Sequence, residues 1–170
     1  MKEPLLILVN EQDEVVGQMN KLEAHKKGLL HRAISVLIFN SEGDWLLQKR
    51  ASTKYHSPSL WSNTSCSHPT PNEDSLTAAK RRLTEEMGMK VDLKFVFDFT
   101  YRVDFSNGLI ENEFDHVFIG FSNELPIINK EEADDYVYIK QKNLLLNIEI
   151  NPAAYTEWFK ILVPKVIKYL

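Results

Sequence analysis

The chain has 170 residues, 44% hydrophobic and 26% charged, with six Gly and seven Pro. That length serves one hydrophobic core and is short for two ordinary domains, so one domain over residues 1–170 is expected, with its core over about 30–165. The formal charge of −4 argues against nucleic acid as the main partner, because phosphate backbones call for a basic field, but it leaves room for a small anion in a local basic pocket. A single cysteine excludes an internal disulfide and fits a reducing compartment. The apolar run near Leu5 is too short to span a membrane and has no signal-cleavage pattern, so a cytoplasmic protein with no membrane partner is expected.

Leu5 to Val9 and Val15 to Gln18 are predicted as short strands around the turn Gln12-Asp13-Glu14. Asn20 to Lys27 reads as a short helix stopped by Gly28. Arg32 to Asn40 alternates, with Ile34, Val36 and Ile38 on one face, and a hairpin turn at Ser41–Asp44 leads into a strand from Trp45 to Arg50. Ala51 to Pro71 has three prolines and many Ser, Thr and Asn residues, which predicts a long ordered loop of the kind that carries function. Asn72 to Met87 reads as a helix: Leu76, Ala79, Leu83 and Met87 recur at three- and four-residue steps, acidic residues open it, and Gly88 ends it. Val91 to Phe105 and Leu109 to Phe121 form a predicted hairpin around Asn107-Gly108. Tyr136 to Lys140 is a further strand, and Pro152 to Leu170 a closing helix that Pro164 must kink or interrupt. Strands with inserted helices make the chain α+β or a layered α/β sandwich.

Glu111 and Glu113 carry the chemical signal. On a strand they leave one face together, an unfavourable arrangement unless a cation or a shared proton lies between them. His25, His31 and His68 are available to complete a metal site, and imidazole with carboxylate suits Zn, Mn or Fe. Each residue alone also has an ordinary explanation: a histidine on the surface or satisfied in the core, a Glu-x-Glu on a solvated face. His56 and His116 are left to that explanation. Arg82 and Glu86 stand one helical turn apart, either as a plain ion pair or with Glu86 holding a hard cation that binds a diphosphate. Lys21, Arg50 and Lys54 are candidate anion contacts or solvated charges. Cys66, two residues before His68, is a candidate thiol activated by nearby positive charge or an inert buried cysteine.

Taken in order, His31-Arg-Ala-Ile-Ser-Val, Leu46-Leu-Gln-Lys-Arg50, Trp61-x-Asn63-x-x-Cys66-x-His68-Pro69, Arg81-Arg-Leu-x-Glu-Glu86-x-Gly88, Tyr101 and Glu111-Asn-Glu113 resemble the type I isopentenyl-diphosphate isomerases, a branch of the Nudix fold. The resemblance covers nearly the whole chain. It implies an α+β fold (an α/β/α sandwich with a mixed sheet), a Nudix helix at about 72–87 and a C-terminal helix. It implies interconversion of isopentenyl and dimethylallyl diphosphate in isoprenoid synthesis. His25, His31, His68, Glu111 and Glu113 would bind one divalent metal (Mn²⁺, Zn²⁺ or Mg²⁺), and Glu86, with the Cys66 carbonyl, a Mg²⁺ bridging to the diphosphate. Lys21, Arg50, Lys54 and Arg82 match diphosphate contacts. Cys66 and Glu113 would transfer protons from opposite faces of the substrate, with Tyr101 supporting Glu113 and Trp158 near the hydrocarbon end. Against the general Nudix hydrolase box, Glu73, Arg81, Leu83, Glu85, Glu86, Gly88 and Met89 fit, while Ser67 replaces a Gly and Arg82 a Glu. Losing that carboxylate weakens the alternative reading, a hydrolase of a nucleoside diphosphate derivative. A non-catalytic diphosphate-binding module is the third reading.

Overall fold

The computed structural model describes residues 4–170, so the first three residues of the expected domain lie outside it. Among the described residues nine strands join one mixed sheet. The organising strand is β3 (His31–Phe39), after β1 (Leu5–Val9), β2 (Val15–Asn20) and the short helix α1 (Lys21–Lys27). β4 (Trp45–Arg50) follows in the hairpin that the sequence predicts.

The segment expected to be a loop contains two more strands, β5 (Trp61–Ser62) and β6 (Ser65–Ser67), which pair with β4 and β3. Pieces this short carry no periodicity of their own; their ladders come from strands elsewhere in the chain. Thr64 between them is wired into that sheet, accepting from the Ile38 N–H and donating to the Leu46 carbonyl.

Helix α2 (Ser75–Met87) starts three residues later than predicted. Asp74 is its cap, accepting from the Thr77 N–H, and no acidic residue lies in the first turn. Gly88 ends it with φ +65°, and an added Cβ there would lie 2.5 Å from the Ile127 carbonyl oxygen, so glycine is required on both counts. Ala78, Ala79, Leu83 and Met87 pack on Ile34, Val36, Ile38 and Phe118, while Leu76 is left exposed.

β7 (Lys94–Asp104) and β8 (Ile110–Phe121) form the predicted hairpin, and β8 runs parallel to β3 from Glu113 to Phe121. β9 (Ala133–Ile139) pairs with β4. Helix α3 (Gln141–Ile150), absent from the sequence prediction, covers the second face with α4 (Glu157–Val166). The predicted closing helix is broken before Glu157, where the Thr156 N–H donates to the Trp61 carbonyl. Pro164 does not interrupt α4; it sits on the exposed side. Leu37, Phe39, Val117 and Ile119 meet Trp158, Phe159 and Leu162 on this face, completing an α/β/α sandwich. Among the described residues no helix is long and apolar enough to cross a membrane.

Candidate active site

Alternation along β8 puts Glu111, Glu113 and Asp115 on the face that carries Val117 and Ile119 further along. The strand is apolar at one end and acidic at the other, and all three carboxyls are buried. Register then assembles the site. Glu113 lies directly opposite His31 on β3 and Tyr101 on β7, and Cys66 on β6 lies opposite Ser35 on β3. β3 therefore stands between Cys66 and Glu113.

His25, His31, His68 and Glu113 bring one ligand atom each to within 4.8 Å of one another. The histidines are oriented for a metal. Nδ1–H of His25 donates to the Lys21 carbonyl at 2.7 Å and that of His31 to the Leu29 carbonyl at 2.8 Å, which leaves each Nε2 with its lone pair inward. Both Nε2 atoms are buried with no hydrogen-bond partner, which a bound cation would supply. Burial and this donor set fit a divalent metal. His68 Nε2 lies 3.0 Å from Glu113 Oε1, and burial holds its imidazole neutral, down to about 3.

The two glutamates are not equivalent. Burial would raise the Glu113 carboxyl, but His31 and His68 outweigh it and hold Glu113 well below the usual carboxylate range. Burial and the Glu113 charge push Glu111 well above that range. The two carboxyls are thus pushed in opposite directions, with the Tyr101 hydroxyl donating to Glu113 at 2.6 Å and also 3.4 Å from Glu111. Glu111 stands outside the four-atom metal group.

In front of this cluster is a cavity of about 90 Å³ lined by Cys66, Tyr101, Trp158, Glu86 and the four basic residues Lys21, Arg50, Lys54 and Arg82. His68 and Glu113 also line it, whereas His25 and His31 do not. Burial pushes the Cys66 thiol up to about 12 despite the nearby Arg50, so of the two readings open from the sequence, activation by nearby positive charge is disfavoured. The Arg50 guanidinium lies over the Trp158 ring at 5.1 Å and donates to the His56 and Ser57 carbonyls. Lys21 is over the Tyr55 ring at 5.6 Å. The Arg82–Glu86 helical pair forms at 3.0 Å, and Gln48 donates to the other Glu86 oxygen at 2.7 Å.

The sequence reading missed several lining residues, His56 and Glu132 among them. His56, set aside as an ordinary histidine, is buried in the cavity wall with its Nδ1 3.8 Å from Glu111 and its ring edge-on to Trp158. Glu132, before β9, reaches Lys54 and Arg82. No local pattern marks either. His116 behaves as expected, pairing with Asp13 away from the cavity at 2.9 Å.

Residues 29–159 match the NUDIX domain family. The chain is 48% identical over 165 residues to isopentenyl-diphosphate Delta-isomerase 2 of Aromatoleum aromaticum, covering 97% of this chain and 87% of that protein. The chain belongs to the isopentenyl-diphosphate Delta-isomerase family. A member from Pectobacterium atrosepticum is 47% identical, over 96% of this chain and 92% of that one. Delta-isomerases are enzymes, and the matches to these two run through 97% and 96% of this chain. Among solved structures, DR0079 of Deinococcus radiodurans has a TM-score of 0.78 at 23% identity, covering 95% of this chain and 98% of that one. A MutT protein of Methanosarcina mazei has 0.69 at 15%, covering 82% and 94%. Those two likenesses establish the Nudix fold for this chain and nothing about its chemistry.

Proposed function

We propose that the protein interconverts isopentenyl and dimethylallyl diphosphate by adding a proton to one carbon and removing one from another. The observation that carries this reading is that Cys66 and Glu113, on strands either side of β3, line one cavity together with four basic residues. A diphosphate head needs the cations. The hydrocarbon end needs a proton donor, a proton acceptor and a dry aromatic wall.

In the direction toward dimethylallyl diphosphate, the Cys66 S–H bond breaks and its proton joins the terminal methylene carbon. The alkene's electron pair forms the new C–H bond and leaves a tertiary carbocation. Glu113 then takes a proton from the carbon on the diphosphate side, and that C–H pair becomes the new double bond. The reverse reaction exchanges the roles. Reset needs one proton to leave Glu113 and one to return to Cys66. Trp158 presents an indole to the cation, worth about 2 kcal/mol or more where water is excluded. Tyr101 orients Glu113 through its 2.6 Å bond.

His25, His31, His68 and Glu113, with Glu111 beside them, would hold Mn²⁺, Zn²⁺ or Mg²⁺, and Glu86 would hold a Mg²⁺ against the diphosphate. Such cations supply charge that acidifies bound groups and neutralises phosphate oxygens. Lys21, Arg50, Lys54 and Arg82 contact the diphosphate in this reading. One cysteine, and no spanning helix among the described residues, fit a cytoplasmic enzyme.

The test is incubation of the metal-loaded protein with isopentenyl diphosphate and Mg²⁺. Formation of an acid-labile allylic diphosphate is expected. A folded, metal-loaded protein that forms none, or that instead releases nucleoside monophosphate from nucleoside diphosphate derivatives, overturns the reading.

A further inference from the structure

Two of the four basic residues that line the cavity already hold an anion. Glu132 lies 2.5 Å from Lys54 Nζ and 3.2 Å from Arg82 Nη2. Arg82 is also bonded to Glu85 at 2.7 Å and Glu86 at 3.0 Å, so its planar fork is surrounded by three carboxylates. Glu132 is no loose surface residue. Its N–H donates to the Asn129 carbonyl, and its carbonyl accepts from the Ala51 N–H at the start of the turn that carries Lys54. Backbone pairing thus fixes the acid beside the base. A diphosphate that reached Lys54 and Arg82 would compete with Glu132 for the same N–H groups and would lie next to its charge.

We propose that Glu132 is a placeholder carboxylate, keeping Lys54 and Arg82 extended in the absence of substrate and making diphosphate binding conditional on a divalent cation. The proposal rests on the reading of these residues as diphosphate contacts. A bare diphosphate meets a like charge that is already paired. A diphosphate carrying a divalent cation near Glu86 has less charge to repel, and it takes over the two cations. Glu132 thereby selects the metal complex of the substrate over the free anion.

The probe is inorganic diphosphate, titrated calorimetrically into protein dialysed free of Mg²⁺ and into the same protein with excess Mg²⁺. The wild type is expected to bind at least tenfold more weakly without Mg²⁺; equal affinity in both conditions overturns the proposal without any variant. Glu132→Gln is expected to gain at least tenfold without Mg²⁺, shrinking the ratio between the two conditions. Glu132→Asp keeps the charge and is expected to keep the wild-type ratio, and the exposed neighbour Glu131→Gln is expected to change neither affinity. If Glu132→Gln loses affinity equally in both conditions, the residue only positions Lys54 and Arg82, and the proposal fails. Absence of diphosphate binding in every condition would instead sink the assignment of the cavity as a diphosphate site, which the isomerase assay tests separately.

Discussion

Glu113 draws its character from three strands. His31, its cross-strand neighbour, and His68, beyond the end of β6, pull its carboxyl down, while burial and the Glu113 charge push up that of Glu111, two residues away. Cys66 is the opposite case, a thiol that burial keeps protonated. If it is the proton-transfer group facing Glu113, Cys66→Ala should lower kcat by about 10²–10⁴ with KM little changed, since positioned acid–base groups contribute that much. A loss confined to KM would assign the thiol to binding. His25, whose Nε2 is buried without a partner, tests the metal group. His25→Ala should lower metal content in the purified protein and cost about 10–100-fold in metal affinity, the scale seen when a site's supporting residues are removed, or more for a direct ligand. Unchanged metal content would remove His25 from the ligand set. The pairing of Glu111 with Glu113 was legible from spacing alone. His56 was not, because a histidine between Tyr55 and Ser57 has no periodic context and its burial arises from Trp158 and Phe105, far away in sequence.

At the scale of elements, α2 shows a pattern that sequence renders well. Leu83 is fully buried against Ile34, Val36 and Ile38, so Leu83→Ala should destabilise the fold by about 2–5 kcal/mol, read as a lower urea midpoint at constant m-value. The approach to α2 is tied by Glu73, which accepts from Arg81 Nε at 2.7 Å and Nη2 at 2.8 Å. Those bonds hold the Glu73 carboxyl down to about 2 from a usual 4.5. A depressed folded value means stabilisation present above about pH 4.5 and lost as pH falls toward 2. The melting temperature of Glu73→Gln should therefore lie below wild type at pH 7 and converge with it toward pH 2; a gap that persists undiminished at the acid end would assign the effect to packing. The loop strands β5 and β6 and helix α3 mark the limit of local reading. β5 and β6 exist because β3 and β4 offer them hydrogen-bonding edges, and α3 buries only Leu144 fully, too little to make a face stand out.

For the whole molecule, metal and protons act on the same group of residues. His56 and His68 are each held down to about 3 from 6.5 by burial, so between those limits the unfolded chain takes up protons that the folded chain refuses. Stability of the metal-free protein should fall as pH drops below about 6.5 and continue falling toward 3, a trend that thermal unfolding in a pH series would detect and a flat profile would refute. Saturating the His/Glu group should raise the melting temperature: a ligand at 100 times its Kd adds about 2.7 kcal/mol. No shift with Mn²⁺, Zn²⁺ or Mg²⁺ would argue against a metal at that group.

The sequence by itself determined the order of motifs, the alternation of β3 and β8, the α2 face and its glycine stop, because these are repeats within one segment, imposed by the 2.0 and 3.6 periods of strand and helix. It also carried the residues that resemble the isomerase family. Only the tertiary structure decided in which direction each carboxyl is pushed, that burial raises the Cys66 thiol, that Arg82 is surrounded by three carboxylates, and that Glu132 and His56 reach the cavity. Each of those depends on charge, burial and hydrogen bonds brought together from strands and turns distant in the chain, and such fields have no signature in the local order of residues.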